Sequence, residues 1–489
     1  MLTGYQLMLT VLSYQSITTY GGAVTTLALE KTGAPVRRTR PIAAVLAAVG
    51  IPTFMVSLDN LVVSTALPVI RTELHASITD LQWFVNAYTL PFAAFLLTAA
   101  ALGDRLGRRR MFIGGIIIFT LASAAAALSA EAWQLTAARA IQGLGGAAIT
   151  PLALTLLARA VPANFRNAAV GIWGGITGLG VAVGPVVGGA VVDGLHWSWI
   201  FWLNVPVGVV AVVLAATVLD ESRGDGRRLD PIGLVLSAGG MLLLVWGVVD
   251  GPDRGWTSGR VPVMLGAAVV MLAGFVFWQA RNSAPMLPLR LFRSRGFSLV
   301  NVVTLTFSAG AFGSVFLLAQ FFQVVQGLSP LQAGLRTLPW TAAPMIVAPL
   351  AGLFAGRIGQ RNLIFAGQVF LAGGLLWMAL GLSVTASYTS LIGAFALAGI
   401  GMGLTFAPVS TMVLASVDQD SQGVASGTNN TIREFGVAAG VAALSSIFSS
   451  LGGFTSFDSF IDGTRPAVLT GAAVIAVGAV VALALPRRA

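Results

Sequence analysis

Apolar runs of about 20 residues alternate with short polar loops from residue 41 to the end of the chain. One helix needs about 20 mostly apolar residues to cross the roughly 30 Å of hydrocarbon in a bilayer. The pattern predicts fourteen such helices, near residues 41–67, 81–102, 111–129, 133–160, 168–193, 199–219, 231–250, 261–280, 297–325, 331–355, 363–383, 389–414, 423–449 and 466–486. The sequence therefore predicts an all-α membrane protein.

The arginine and lysine positions indicate how these helices are oriented. If the N-terminus is cytoplasmic, 21 of the 28 basic residues lie in cytoplasmic segments, four lie in outer loops and three lie within helices. Cytoplasmic loops of membrane proteins are enriched in basic residues. We therefore expect a multi-pass protein of the bacterial inner membrane, surrounded by lipid, with both termini in the cytoplasm.

Composition excludes several classes of function. The net charge is +10, but the basic residues lie in short loops beside apolar helices, so no nucleic-acid partner is expected. The chain has no cysteine and only two histidines, so no metal site is expected. Residues 1–40 form an N-terminal extension without a clear membrane helix or signal peptide. We expect either a disordered segment there or a native start at Val36.

An internal repeat divides the chain into two parts. The loop GDRLGRR at 103–109 recurs as GRIGQR at 356–361, with a constant offset of 252 residues. A second stretch of glycines and one proline recurs in the same order. Such duplication is typical of transporters built from parallel repeats. It predicts two six-helix halves, 41–219 and 297–489, separated by a linker, 220–296, that contains two inserted helices.

The segment LGDRLGRRR at 102–110 resembles the loop G-x-L-x-D-R-x-G-R-R of the major facilitator superfamily. Ala100 replaces the first glycine of that pattern. The resemblance implies the major facilitator fold and a loop that latches the two halves together on the cytoplasmic side while the cavity faces outward. It assigns this gating role to Asp104, Arg105, Gly107, Arg108 and Arg109.

Asp59 is a carboxylate within the first predicted helix. A charged group at the bilayer centre costs roughly 2.5–3.5 kcal/mol, so it needs a partner, a water-filled cavity or a function. Such a carboxylate suits proton coupling, although a structural carboxylate paired with a basic or amide side chain is the alternative. The segment from Asp59 to Pro68 also resembles the first-helix motif D-x-T-V-V-N-V-A-L-P of fourteen-span drug:proton antiporters, with departures at Leu61 and Ser64.

Arg139 lies in the fourth predicted helix, in a stretch that resembles the superfamily motif L-x-x-x-R-x-x-Q-G-x-G-x-A. The resemblance implies a role in proton coupling, and a guanidinium that is always charged suits balancing a carboxylate. A structural arginine is the alternative. The fifth helix carries a motif that, by resemblance, is associated with exporters rather than importers. Its residues are Gly180, Gly184, Pro185, Gly188 and Gly189.

Further polar and aromatic residues are candidates for substrate contact. Drug cavities are mostly apolar and aromatic with a few polar groups. Arg433 and Glu434 are adjacent on the thirteenth helix and are expected to point in different directions. The candidates for a substrate cavity are Trp83, Asn86, Tyr88, Gln142, Gln320, Phe321 and Gln323.

Taken together, the motifs resemble those of multidrug and antibiotic efflux permeases. The resemblance implies export of a small amphipathic or aromatic substrate in exchange for protons, by alternating access. The sequence contains no nucleotide-binding Walker loop, so the proton motive force rather than a cofactor or ATP would supply the energy. We expect a monomer. An exporter or symporter of a metabolite or nutrient is the alternative, and a membrane-embedded enzyme or sensor is a more distant one.

Overall fold

The computed structural model describes residues 41–76, 78–224, 230–283 and 285–486. The predicted extension, residues 1–40, lies outside them. A one-turn helix, Trp199–Trp202, leads into α6. The long helices are α1 (Ile42–Glu73), α2 (Ile78–Leu106), α3 (Arg108–Ala127), α4 (Ala132–Ala160), α5 (Arg166–Gly194), α6 (Asn204–Val218), α7 (Pro231–Arg254), α8 (Arg260–Arg281), α9 (Arg295–Val324), α10 (Pro330–Ile358), α11 (Gln360–Gly381), α12 (Tyr388–Ala415), α13 (Gln422–Leu451) and α14 (Phe457–Leu483).

Helix length and composition agree with the membrane helices predicted from the sequence. Among the described residues, thirteen segments are long and apolar enough to cross a membrane, with the one-turn helix and α6 counted together. The remaining long helix is α5, with 29 residues. The all-α membrane fold is thus confirmed.

Two helices extend beyond their apolar runs. α1 ends at Glu73 rather than at residue 67, and α14 begins at Phe457 rather than at residue 466. Ser456 caps α14, because its hydroxyl accepts a hydrogen bond from the backbone N–H of Ser459 at 3.1 Å. The predicted limits were wrong because these helices continue through polar turns, whereas the prediction stopped where the apolar residues end.

Gly107 and Gly359 are the equivalent glycines of the two repeat copies. Gly107 separates α2 from α3 with a φ of 117°, and Gly359 separates α10 from α11 with a φ of 86°. Both values lie in the left-handed region, which glycine adopts without the steric cost of a Cβ. The repeat in the sequence therefore corresponds to a repeated turn in the structure.

Helices α1–α6 and α9–α14 form two bundles, each around an apolar core. Phe112 and Leu152 are buried in the first core, and Phe395 and Phe460 in the second. The bundles meet along two seams, where α5 packs on α10 and α2 packs on α13. The inserted helix α7 contacts both α2 and α13, so it covers the second seam, and α8 packs against α7.

Asp230 joins the two inserted helices. One carboxylate oxygen accepts hydrogen bonds from the N–H of Gly233 at 2.8 Å and from Trp278 at 2.7 Å, and the other accepts from Gln279 at 2.6 Å. Burial alone would raise the pKa of Asp230, but these hydrogen bonds, with one from Asn282, outweigh it and lower the pKa. The ionised carboxylate therefore caps α7 and ties it to α8.

Candidate functional site

A buried carboxylate lies inside the first bundle. Asp59 of α1 is only 1% exposed. Its Oδ2 accepts a hydrogen bond from Nη1 of Arg139 at 2.5 Å, and its Oδ1 accepts from Gln142 and Asn204, each at 2.8 Å. Three side chains from α4 and α6 therefore enclose the carboxylate, and one of them balances its charge. The two residues predicted for proton coupling, Asp59 and Arg139, lie in direct contact.

Arg139 is held in place by α2. Its Nε donates to the carbonyl oxygen of Phe84 at 3.1 Å, and its guanidinium lies 4.3 Å from the ring centroid of Tyr88. α4 approaches α2 this closely because Gly143 faces the carbonyl oxygen of Tyr88, where a Cβ would clash. A guanidinium keeps its charge in proteins. Arg139 therefore offers a fixed positive charge that the Asp59 carboxylate balances.

Asn204 and Ser123 belong to the same cluster and were not predicted from the sequence. Ser123 Oγ accepts hydrogen bonds from Gln142 at 2.8 Å and from Asn204 at 3.4 Å. Gln142, which the sequence assigned to the substrate cavity, is fully buried in this cluster. The sequence did carry a signal for Asn204, which is an amide at the start of the otherwise apolar α6. An uncharged polar group at membrane depth also needs a hydrogen-bond partner.

The motif segment 102–110, where α2 ends and α3 begins, lies against the N-terminus of α13. We call this end of the protein the basic end, after the arginines of that segment. Asp104 pairs with Arg108 at 2.6 Å and accepts a hydrogen bond from the backbone N–H of Val424 at 3.2 Å. Arg108 also donates to the carbonyl oxygen of Asp420 at 3.2 Å. The predicted latch residues Asp104 and Arg108 therefore connect the first bundle to the second.

Arg159, near the end of α4, adds an ion pair to these contacts. Its Nη2 lies 3.0 Å from Oδ1 of Asp420. We call Asp104, Arg108, Arg159 and Asp420 together the basic-end clasp. The sequence did not predict Arg159 or Asp420 as gating residues. They are 261 positions apart, and only the packing of the two bundles brings them together.

Arg109 and Arg110 of the loop have separate partners. Arg109 donates through its side chain to the carbonyl oxygen of Leu219 at 3.0 Å. The carboxylate of Glu221 accepts hydrogen bonds from the backbone N–H groups of Arg109 at 3.0 Å and Arg110 at 3.2 Å, at the N-terminus of α3. A carboxylate at this position stabilises a helix start. Arg105 is half-buried at the end of α2. The loop is thus also fastened to the segment that follows α6.

Ala100, which replaces the first glycine of the loop motif, faces a glycine on the other bundle. A Cβ added at Gly427 would lie 2.5 Å from the Cβ of Ala100. This distance is too short for two carbon atoms in contact. The close approach of α2 and α13 therefore depends on Gly427.

The fifth-helix motif lies on α5. At Gly180, an added Cβ would lie 2.9 Å from the carbonyl oxygen of Phe54 on α1, so this glycine allows close packing within the first bundle. Gly184 and Gly188 are buried and Gly189 is half-buried. The side chain of Pro185 lies outside the described part of the structure.

The seam between α5 and α10 is tightest near the basic end and widens away from it. An added Cβ at Gly171 would lie 2.6 Å from the carbonyl oxygen of Ala348. One turn further, at Gly175, the corresponding distance to the carbonyl oxygen of Met345 is 3.1 Å. At Gly178 the nearest atom, the Cβ of Pro344, is 3.7 Å away. The two bundles are thus closed against each other at the basic end.

The seven residues predicted for a substrate cavity are dispersed in this conformation. Tyr88 and Gln142 pack in the Asp59 cluster, and Phe321 is fully buried in the core of the second bundle. Trp83 packs edge-on against Trp246 of α7, with ring centroids 5.3 Å apart. The other three are half-buried or exposed, namely Asn86, Gln320 and Gln323. Aromatic residues that fill a core and those that line a cavity follow the same sequence pattern, so the pattern could not separate them.

A small cavity lies between the two bundles, with both polar and apolar residues in its wall. In this conformation its volume is about 20 Å³, which is room for about one water molecule. Helices α4, α5, α9, α12 and α13 contribute to its wall. Lining residues include Trp173, Phe406, Ser410, Asn429, Asn430 and Arg433.

Arg433 and Glu434 form an ion pair beside this cavity. Nη2 of Arg433 lies 2.9 Å from Oε1 of Glu434, and Nε lies 3.2 Å from the same oxygen. The expectation that the two side chains point in different directions was wrong. It holds for the Cα–Cβ bonds, whereas the long arginine side chain bends back to reach its neighbour.

Comparison with known proteins identifies the family. The chain matches the Major Facilitator Superfamily over residues 49–441 and 303–489. It is 34% identical over 430 residues to the tetracenomycin C resistance and export protein of Streptomyces glaucescens, covering 86% of this chain and 79% of that protein. It is 38% identical over 407 residues to multidrug resistance protein Stp of Mycobacterium tuberculosis, covering 83% of this chain and 75% of that protein. The fold matches the proton:xylose symporter XylE with a TM-score of 0.63 at 14% identity, over 90% of this chain and 94% of that chain. The chain therefore belongs to the major facilitator superfamily.

Proposed function

We propose that this protein exports drugs or antibiotics across the bacterial inner membrane in exchange for protons, by alternating access. The observation that carries the proposal is the buried pair of Asp59 and Arg139, a carboxylate inside a membrane bundle with a fixed positive charge beside it. The similarity to an antibiotic export protein and a multidrug resistance protein supports the direction of transport and the class of cargo. The cargo is a small amphipathic or aromatic molecule, and no enzymatic step or cofactor is involved.

Proton coupling follows from the charge balance in the Asp59 cluster. When Asp59 is ionised, it balances Arg139 within a buried site. When Asp59 takes up a proton, Arg139 is left as an unpaired buried charge, which favours a conformation that admits water to the site. Protonation from outside then weakens substrate binding, and deprotonation on the cytoplasmic side restores it. One proton that moves through 100 mV supplies about 2.3 kcal/mol.

The basic-end clasp supplies the second part of the mechanism. In the proposed orientation, the basic end and both termini face the cytoplasm, and the protein acts as a monomer. The clasp and the tight end of the α5/α10 seam close the cavity from the cytoplasm. Opening toward the cytoplasm requires the ion pair between Arg159 and Asp420 and the contact between Asp104 and Val424 to break.

Asp59→Asn tests this proposal in everted membrane vesicles that contain the full-length protein. We expect the variant to fold but to lose proton-driven transport across a panel of dyes and antibiotics. Asp458→Asn is the matched control, because Asp458 is an exposed carboxylate in the first turn of α14. Undiminished transport by Asp59→Asn would remove Asp59 from the coupling role. If the unaltered protein moved no compound of the panel under a proton gradient, drug export itself would be refuted.

A further inference from the structure

We infer that the cavity between the two bundles selects hydroxylated aromatic compounds that carry an acidic or carbonyl oxygen, over aromatic cations of the same size. This inference rests on the proposed export function and specifies the chemical class of its cargo. It follows from three properties of the cavity: the hydrogen-bonding atoms that face it, the sign of its charge, and its aromatic surfaces.

The first property is the set of hydrogen-bonding atoms left available by α13. Nδ2 of Asn429 donates to Asn301 at 3.0 Å and to Thr304 at 2.9 Å, and Nδ2 of Asn430 donates to the carbonyl oxygen of Ser426 at 2.8 Å. The Oδ1 atoms of both asparagines make no hydrogen bond to any described residue. The cavity therefore offers two amide oxygens as acceptors, which match the hydroxyl groups of a phenol.

Arg433 supplies the complementary donor. Its Nε and Nη2 are both directed to one oxygen of Glu434, and Nη1 has no hydrogen-bond partner within the described ranges. A guanidinium N–H that faces a cavity is a strong donor to a carbonyl, phenolate or carboxylate oxygen. The cavity thus combines two acceptors for hydroxyl groups with one charged donor for an acidic or carbonyl oxygen.

The second property is the sign of the charge at the cavity wall. Among its described lining residues, Arg433 is the only one with a charged side chain. Asp59 is enclosed in the first bundle, and Glu434, which pairs with Arg433, is not among the described lining residues. A cationic cargo in the cavity would therefore lie against the guanidinium of this ion pair rather than against its carboxylate, which is unfavourable in a site of low dielectric constant.

The third property is a pair of aromatic rings from opposite bundles. Trp173 of α5 and Phe406 of α12 stack with ring centroids 6.4 Å apart and an angle of 26° between their planes. The Trp173 indole N–H donates to the hydroxyl of Thr53 at 3.2 Å, which fixes the orientation of the ring. Separation of the bundles would expose the two ring faces, and planar aromatic molecules pack well on such faces. The cargo is therefore expected to be planar as well as oxygen-rich.

Two dyes with the same ring system and opposite charge test the inference. Fluorescein and rhodamine 123 both contain a flat xanthene core and a pendant phenyl ring, but fluorescein is an oxygen-rich anion near neutral pH and rhodamine 123 is a cation. Binding of each dye to the purified full-length protein would be measured by fluorescence anisotropy at one fixed pH. We expect fluorescein to bind at least about tenfold more tightly than rhodamine 123.

Three variants identify the residue responsible. Arg433→Gln should weaken fluorescein binding about tenfold without weakening rhodamine 123 binding. Glu434→Gln should strengthen fluorescein binding, because it leaves the guanidinium without its carboxylate. The two variants should shift affinity in opposite directions, whereas general damage to the fold would lower both. Arg336→Gln is the matched control, since Arg336 is also a partly buried arginine in a membrane helix that binds an amide, Gln326 at 2.6 Å.

Several outcomes would overturn the inference. These are tighter binding of rhodamine 123 than of fluorescein, an unchanged fluorescein affinity in Arg433→Gln, or no binding of fluorescein up to its solubility limit. Proton-driven export of rhodamine 123 that depends on Asp59 but not on Arg433 would overturn the inference and leave the proposed export function intact. Failure of the export function would instead appear in the vesicle assay as the absence of any proton-driven transport.

Discussion

The widening seam between α5 and α10 predicts that one added methyl group should shift the balance between the two faces of the transporter. In Gly171→Ala, the new Cβ would lie 2.6 Å from the carbonyl oxygen of Ala348 and 3.0 Å from the Cα of Pro349. Both are backbone atoms, which cannot move away as the end of a side chain can. Gly178→Ala is the matched control, because its Cβ would make an ordinary contact at 3.7 Å with Pro344.

The expected magnitude follows from the cost of overpacking. Inserting a methyl group into a tightly packed interface typically costs 1–3 kcal/mol. In Gly171→Ala this cost applies only while the basic end is closed, because α5 and α10 belong to different bundles. The equilibrium should therefore shift toward the conformation open at the basic end by roughly 5- to 150-fold.

A cysteine reporter would measure this shift. The chain contains no cysteine, so Ser410→Cys places a single thiol in the cavity between the bundles. In everted vesicles, a membrane-impermeant maleimide should label this thiol faster in the Gly171→Ala background than in the Gly178→Ala background. Equal labelling rates in the two backgrounds would refute the idea that the narrow end of the seam holds the basic end closed.

Two further predictions concern the carboxylates of Asp104 and Asp230. Asp104→Asn removes the partner of the fully buried Arg108, so it should slow transport more than it weakens binding of a dye; an equal loss of both would contradict a latch. Asp230 should make the free energy of unfolding depend on pH, because folding lowers the pKa of this carboxylate. Its contribution to the free energy of unfolding is complete above the unfolded pKa of about 3.9 and is lost as the pH falls through the folded pKa. The unaltered protein should therefore unfold at progressively lower temperature as the pH falls below about 4. Asp230→Asn should flatten that dependence while keeping the cap of α7, because asparagine caps helices about as well as aspartate. An identical acid slope in Asp230→Asn would exclude this carboxylate as its source.

The sequence predicted the membrane helices and the central carboxylate for clear physical reasons. A backbone in hydrocarbon must satisfy its own hydrogen bonds, so a long apolar run has essentially one solution, a helix. Charges at membrane depth are rare, so Asp59 and Arg139 stand out in the sequence. Their contact was not visible in the sequence, since it depends on how α1 and α4 pack across 80 positions.

The remaining site residues could not be predicted because their roles arise from packing. Asn204 is a neutral amide whose role appears only when α6 lies beside Asp59. Asp420 lies in a short polar segment that resembles any solvated loop, and only its contacts with Arg108 and Arg159 give it a role at the basic end. Phe321 was assigned to a cavity but fills a core, because aromatic side chains bury well in either setting.

The contact between Ala100 and Gly427 changes how the loop motif should be judged in this chain. Considered alone, Ala100 is a departure from the motif, because its methyl group replaces the hydrogen atom of the motif's first glycine. The two facing positions, however, share one space, and the missing side chain of Gly427 makes room for the methyl group of Ala100. Helix spacing at this crossing is thus a joint property of two residues 327 positions apart (427 − 100). The crossing has room for the methyl group of Ala100 on α2, but not for a second one on α13.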